Sequence, residues 1–505
     1  MTTVHVPEGI LDGRDCADGT YFFGGVPYAE RPLGDLRFRP PQRPASWEGV
    51  RPAHEPGPAA PQRPVFAAVG EVYSSILPQS EDCLTLTVRT PSLTADRLPV
   101  FVWIHGGGFA VGSGGEPIYQ GGGLSRHGVV EVSVTHRLGA LGFAAINDPR
   151  HGLIANAGLR DVIAALAWVQ ERIEAFGGDP GNVSLAGHSA GAMTVACLMT
   201  SPLAQGLFHR AVIQSPGAPF AVNLDTGLTV TKDLASRVGV SSDSVEGLAG
   251  APLDDVLAAQ LALSDLAYAG EHREQFGGAS MAFNPVIDGD VLPAEPLAAI
   301  AGGAAAGVPL LVGSARDEAM LHLEAMVAAT ESEPAGSRAV LDAILARFPG
   351  QGSTIESTYR EEFPASTDAR LAATILGDAA LRLPALSLAA AAAPHGPVFC
   401  YRFDEPTVRA GWVVGAIHGA ELPYLFGTGS TVAGQHLAGQ VDERLASSMQ
   451  LAWTEFARTG RPDLNRTAWP QYSTSEASVL AISADAISTV SDLTEALATL
   501  WLSPA

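Results

Sequence analysis

Short apolar runs alternate with stretches of helical periodicity along most of this chain, and their order predicts the fold class. Pro99–Ile104 is a continuous apolar run of strand length, the pattern of a central strand covered on both faces. Gly128–Thr135, Val183–Ala186, Arg210–Ser215 and Val308–Gly313 read as further strands, and Pro397–Phe403 as the last clear one. Between them, Asp161–Phe176 carries Ile163, Leu166, Ala167, Val169 and Ile173 at helical spacing. Gly177–Pro180 ends that helix in a turn, and a second helix runs from Ala190 toward Thr200. Strand, helix, strand, helix, strand is the rhythm of an α/β protein with a large, mostly parallel sheet and helices on its faces.

The flanks read differently. From Tyr21 to Arg89, β-like runs (Tyr21–Tyr28, Leu33–Phe38, Leu84–Arg89) are separated by Pro/Gly-rich turns, and the period-2 pattern of the last predicts a half-buried antiparallel strand. The proline-dense segment Pro40–Pro64 reads as ordered coil on a sheet edge. Ala/Leu-rich segments with acidic spacers, about 219–281 and 319–393, predict helical, cap-like insertions, and Arg444–Arg458 a final amphipathic helix. Neither a repeat nor a low-complexity linker divides the chain, so residues 1–505 are expected to form one domain.

Composition narrows the partners. Apolar residues make up 47% and charged residues 16%, enough to bury a sizeable core. The 30 basic and 53 acidic residues give a net charge of −23, with Lys232 the one lysine, a field that repels phosphate backbones and anionic lipid. Nucleic acid and membranes are therefore not expected as partners. The N-terminus has no signal-peptide pattern, and no uninterrupted apolar run approaches the roughly 18 residues that span a bilayer, Leu386–Ala393 being the most obvious. Cys16, Cys83, Cys197 and Cys400 have neither metal-ligand spacing nor the density of a disulfide framework, so reduced thiols in a cytoplasm are expected.

The chemistry centres on Gly187-His-Ser-Ala-Gly191, which follows a predicted strand and opens a predicted helix. It fits the G-x-S-x-G nucleophile elbow, a strained turn that lifts a serine hydroxyl clear of the backbone. His105-Gly-Gly-Gly-Phe109 follows the central apolar run at once, and three glycines there let the backbone bare its N–H groups, as in the H-G-G-G loop of an oxyanion hole. A phosphate loop would need a G-x-x-x-x-G-K-[ST] spacing, which is missing. Serine attack also needs a base and an acid, in the chain order serine, acid, histidine on an α/β-hydrolase sheet. Ser189, Glu318 and His418 stand in that order, each after a predicted strand or in a loop. Asp317 and Glu421 compete with Glu318 for the acid role.

Taken together, the motifs resemble the type-B carboxylesterase family, which includes p-nitrobenzyl esterase-like enzymes and cholinesterases. The resemblance runs through Phe23-Gly-Gly-Val-Pro-Tyr-Ala29, Leu36-Arg-Phe38, Ser80-Glu-Asp-Cys-Leu84, Trp103-Ile-His-Gly-Gly-Gly-Phe109, Asn156-Ala-Gly-Leu-Arg-Asp161 and Phe176-Gly-Gly-Asp-Pro180. It continues through Arg316-Asp-Glu318, His418-Gly-Ala-Glu-Leu-Pro423 and Trp453-Thr-Glu-Phe-Ala457. It implies an α/β-hydrolase fold, Ser189 as nucleophile, His418 as general base, Glu318 as orienting acid, and an oxyanion hole from the N–H groups of Gly107, Gly108 and Ala190. It implies neither a metal nor an organic cofactor.

Three positions depart from that pattern. His188 stands where the family usually has glutamate, and Ala stands near Gly57–Gln62 where Cys83 would find its disulfide partner. Asp161-Val162 replaces a polar group by a core-type one. His188 is expected either to titrate beside the base and modulate it, or to pack as a neutral ring behind the elbow. Ser215 could join a second hydrogen-bond network behind the triad, or simply end its strand. The expected activity is hydrolysis of small neutral carboxylic esters through an acyl-enzyme, by a monomer or weak homo-oligomer. The alternatives are amide or carbamate hydrolysis by the same groups, and a non-catalytic binding protein on this fold.

Overall fold

The computed structural model describes residues 2–64, 75–94, 97–270, 272, 274–320, 336–409, 412–464, 469–474 and 477–502. Its main sheet has 13 strands: β1 (Thr2–Val6), β2 (Gly9–Asp15), β3 (Tyr21–Pro27), β4 (Val50–Pro52), β5 (Thr85–Thr90), β6 (Leu98–Ile104), β7 (Val130–Val134), β8 (Gly178–His188), β9 (Arg210–Gln214), β10 (Leu310–Ala315), β11 (Val398–Phe403), β12 (Ser478–Ile482) and β13 (Ile487–Ser491). Their spatial order is β1-β2-β3-β5-β7-β6-β8-β9-β10-β11-β12-β13, with β4 beside β2. All pairings from β7 to β12 are parallel, and the antiparallel ones lie at the two ends.

The central strands are apolar throughout because both faces are covered. On β6, Val100, Val102 and Ile104 point into one core while Phe101 and Trp103 point into the other. The first core is filled by α1 (Ala157–Arg172) and α2 (Ala190–Thr200), the second by Leu422–Phe426 and the later helix that carries Met449, Trp453 and Phe456. The 219–281 insertion forms α3 (Leu224–Val238), α4 (Val245–Gly250) and α5 (Leu253–Ala269). Asn223 and Ser244 cap the first two with side-chain oxygens on Thr226 N and Gly247 N. The second insertion contains α6 (Ser337–Leu345), α7 (Gly352–Glu362) and α8 (Asp368–Ala392), its 321–335 part lying outside the described residues. The final amphipathic helix is α9 (Glu443–Thr459).

Four expectations need correction. Leu33–Phe38 is a 3-10 turn at Gly34–Leu36, since Gly34 (φ 56°) and Phe38 (φ 67°) leave the extended region. β5 is antiparallel but almost wholly buried rather than half-buried, because it is covered on both faces between β3 and β7. Gly178 already pairs with Leu98, so the turn expected at Gly177–Pro180 is partly strand. β12 and β13 extend the sheet past the strand read as last. No uninterrupted apolar run reaches 18 residues in α8 either: an 18-residue stretch of this 25-residue helix has mean hydropathy 1.4, enough by length and composition to cross a membrane, but Asp378 and Arg382 interrupt it. Here it packs on the sheet through Leu383, Leu388 and Ala389, and its middle turn buries the Asp378–Arg382 pair.

Candidate active site

The elbow forms where β8 ends at His188 and α2 begins at Ala190. Ser189 between them has φ 56° and ψ −123°, a conformation that a non-glycine residue holds only when its surroundings impose it. They do: the Ser189 N–H donates to the Gln214 carbonyl at 2.9 Å, and its own carbonyl accepts from Met193 N at 3.0 Å. A Cβ on Gly191 would lie 2.1 Å from the Ile104 oxygen, and one on Gly187 2.5 Å from the Gly191 backbone. Both glycines are therefore contact requirements of the turn.

Glu318 and His418 are brought together from opposite ends of the second insertion. The Glu318 carboxylate, 1% exposed, accepts from Ala315 N at 2.8 Å through Oε1 and meets His418 Nδ1 at 2.6 Å through Oε2. A carboxylate on Nδ1 keeps the proton there and leaves Nε2 as the basic nitrogen. Gly377 of α8 lies against Glu318, where a Cβ would come within 3.3 Å of the Glu318 Cβ. Asp317 turns elsewhere, accepting from Ala416 N at 2.9 Å and from Arg370 at 2.9 Å. Glu421 lies behind, fully buried, accepting from Gln214 Nε2 at 3.1 Å. Burial, and then the nearby Glu318 carboxylate, pushes Glu421 up to about 7.

The glycine loop after β6 is held in contact with the elbow. A Cβ on Gly106 would sit 3.1 Å from both the His188 ring and the Ser189 Cβ, and one on Gly107 (φ 117°) 2.0 Å from the Val111 oxygen. Gly108 (φ 60°) and Phe109 (φ 58°) are also left-handed. Among the described residues, the N–H groups of Gly107, Gly108 and Ala190 donate to no carbonyl, so three donors are bare beside Ser189. Such an array suits an oxygen that gains negative charge.

Residues 1–501 match the Carboxylesterase family. The chain belongs to that family. The para-nitrobenzyl esterase of Bacillus subtilis (strain 168) is 35% identical over 458 residues, spanning 90% of this chain and 89% of its own length. The phenmedipham hydrolase of Pseudarthrobacter oxydans is 33% identical over 507 residues, spanning 97% and 96%. A solved structure of PNB esterase covers 99% of both chains with a TM-score of 0.81 at 31% identity. That of a Geobacillus stearothermophilus carboxylesterase at pH 6.2 covers 99% of this chain and all of its own, with a TM-score of 0.83 at 32% identity.

The protein is thus a carboxylic ester hydrolase on an α/β-hydrolase fold, and the non-catalytic alternative falls away. This carboxylesterase buries His188 to 1% exposure and packs its ring, tilted by 40°, against that of His418, with centroids 4.3 Å apart. Burial, and then His418, holds His188 well below the usual histidine range. Of the two expectations for that position, these observations favour the packed, neutral ring. Of the two readings of Ser215, the structure favours the strand end: among the described residues its buried Oγ has no partner, and its N–H donates to the Gly313 carbonyl at 2.8 Å. Gln214 and Glu421 supply the polar layer behind the site instead, and the sequence reading passed over Gln214 because it looks like any strand-end polar residue. Asp161 is buried in a two-pronged pair with Arg137 (2.6 and 2.8 Å), while Val162 is in the core. Cys83 is buried as a free thiol. A cavity opens beside Gly108, with apolar walls from Phe109, Met281 and Phe283 and a polar side chain, Gln260, from α5.

Proposed function

We propose that this carboxylesterase cleaves small neutral esters through an acyl-enzyme on Ser189, with His418 as general base and Glu318 as its orienting acid. The observation that carries the reading is the 2.6 Å Glu318–His418 Nδ1 contact, set beside the strained Ser189 elbow. His418 takes the Ser189 hydroxyl proton as the oxygen attacks the acyl carbon. The carbonyl oxygen becomes an oxyanion facing the N–H groups of Gly107, Gly108 and Ala190. As the C–O bond to the alcohol breaks, His418 returns the proton to the leaving oxygen. Water then repeats the sequence on the acyl-enzyme and releases the acid and Ser189. The preference for neutral esters is supported by the apolar cavity walls and by a neutral ring at position 188.

Ser189→Ala is expected to lower kcat by roughly 10³-fold or more with an unchanged unfolding temperature. An organophosphate should add one label, on Ser189, by peptide mass spectrometry. A label on another serine would refute the assignment. A cytoplasmic location is proposed as well, supported by the free thiol state of Cys83. Activity recovered in an exported fraction of cells would refute it.

A further inference from the structure

Gln62 is 4% exposed, and its carboxamide is bonded to backbone on every side. Oε1 accepts from Gly112 N at 2.8 Å and from Ser75 N at 3.2 Å, while Nε2 donates to the Gly112 carbonyl at 3.0 Å and to that of Ala60 at 2.9 Å. A backbone N–H can only donate, so these contacts settle which way the amide faces. The side chain thus pairs both polar groups of Gly112 at once, and the Gln62 N–H donates to Gln79 Oε1 at 3.0 Å. Beside it, Ala59 N donates to the Pro78 carbonyl at 2.9 Å and Ser80 N to the Ala59 carbonyl at 3.0 Å. These bonds close the base of the loop at the place where alanine replaces the disulfide partner expected for Cys83, and Gln62 ties that base to Gly112.

Gly112 ends the turn that carries the oxyanion donors. Its φ is 99°, and a Cβ there would lie 2.7 Å from His105 Nδ1 and 2.8 Å from the Gly106 oxygen, so it is packed against the start of the glycine loop. Within the turn, the N–H groups of Ala110 and Val111 both donate to the Gly107 carbonyl at 3.0 Å. Gly106 completes the connection to the elbow, since a Cβ on it would meet the Ser189 Cβ at 3.1 Å. We propose that Gln62 is a positioning residue: by holding both polar groups of Gly112 it sets where Gly107 and Gly108 aim their N–H groups. The proposal rests on the reading of Ser189 as nucleophile and of those N–H groups as its oxyanion donors. Donors that shift by a fraction of an ångström matter little to an uncharged ester and much to an oxygen carrying charge, so Gln62 acts on kcat and not on KM.

The test uses two variants. Gln62→Met keeps the length and removes all four side-chain bonds, whereas Gln62→Glu, assayed at pH 8, keeps acceptors for Gly112 N and Ser75 N but sets a carboxylate against the Gly112 and Ala60 carbonyls. A folding defect in one variant leaves the other to decide. Kinetics on p-nitrophenyl butanoate are measured alongside inhibition by trifluoromethyl hexyl ketone. Ser189 adds to the ketone carbon, its proton passes to His418 and the carbonyl electron pair ends on oxygen, so the adduct sets an oxyanion against the same donors. Both variants should lose about tenfold or more in kcat, with KM within about threefold of wild type. The inhibition constant should rise by the factor that kcat/KM falls. A variant that merely leaves fewer folded molecules lowers kcat and keeps the wild-type inhibition constant, and that result would overturn the proposal. Wild-type kcat in either folded variant would do so too. Failure of the ketone to inhibit wild type would overturn the reading of Ser189 instead.

Discussion

His188 packs its ring at 40° to that of His418, and among the described residues no carboxylate pairs with it. A buried imidazole with a second imidazole as neighbour loses the charged form twice over, by desolvation and by repulsion. His188→Gln is therefore expected to leave the acid limb of kcat/KM where wild type has it, because both residues are neutral throughout. His188→Glu is expected to move that limb up by roughly one pH unit, since a carboxylate at this range favours the imidazolium. It should also raise the rate on a cationic ester relative to a neutral one. Profiles on one neutral and one cationic ester check both outcomes, and a displaced limb in His188→Gln would show that His188 titrates. The identity of residue 188 is plain in the chain, but its state is not. That state depends on a ring 230 positions later (418 − 188) that only folding brings alongside.

Elements position the chemistry by backbone contact. The elbow, β6 and the glycine loop meet at Gly191, where an added Cβ would lie 2.1 Å from the Ile104 oxygen and 2.6 Å from that of His105. These groups cannot yield without moving either the sheet or the oxyanion donors. Gly191→Ala is expected to cost roughly 2 kcal/mol or more in stability and to lower kcat by more than tenfold. Gly250→Ala, at the end of α4 with open space around the added methyl, should stay within about 0.5 kcal/mol of wild type. Urea unfolding and kcat on one ester measure both, and equal stability of the two variants would show that the elbow relaxes. This element was legible before folding because its demands are local: Gly187, Ser189 and Gly191 define the turn by spacing. The 3-10 turn at Gly34–Leu36 was not, since Leu33, Leu36 and Phe38 also suit a strand and only the backbone angles tell them apart.

At the scale of the molecule, burial of three histidines sets a pH dependence of stability. Burial pushes His105 down to about 3, lowers His136 by desolvation, and holds His188 well below the usual range. Unfolded histidines take up protons below about pH 6.5, while in the fold His105 and His188 stay neutral there and His136 takes up its proton later. The unfolded state thus binds more protons, and stability falls as pH drops through that value, by up to about 1.4 kcal/mol per pH unit for each ring. Glu421 acts oppositely. Raised to about 7, it binds a proton in the fold where an unfolded glutamate has lost one, so it offsets about one histidine between roughly pH 4.5 and 7. Net stability should be nearly flat above pH 7 and decline by roughly 1 to 3 kcal/mol per pH unit below 6. Chemical denaturation at pH 8, 6.5 and 5.5 checks this, and constant stability across the three would contradict it.

What the chain determined by itself is what short-range rules specify: apolar runs that become the parallel strands, glycines at the two tight turns, and the order Ser189, Glu318, His418. Those features survive any choice of packing because backbone sterics and hydrophobic periodicity act over a few residues. Tertiary structure alone decided which groups meet. It set Glu318 against His418 across 100 residues and Gln260 against Ala140 across 120. It left the Ser215 Oγ without a partner among the described residues, raised Glu421 to about 7 and pushed His188 well below the usual histidine range. Desolvation and hydrogen bonding at a site depend on everything that surrounds it, and the surroundings of a buried side chain come mostly from elements distant in sequence. A glutamine on an Ala/Leu-rich helix therefore reads as incidental until the helix is seen to press it against the turn at Gly139.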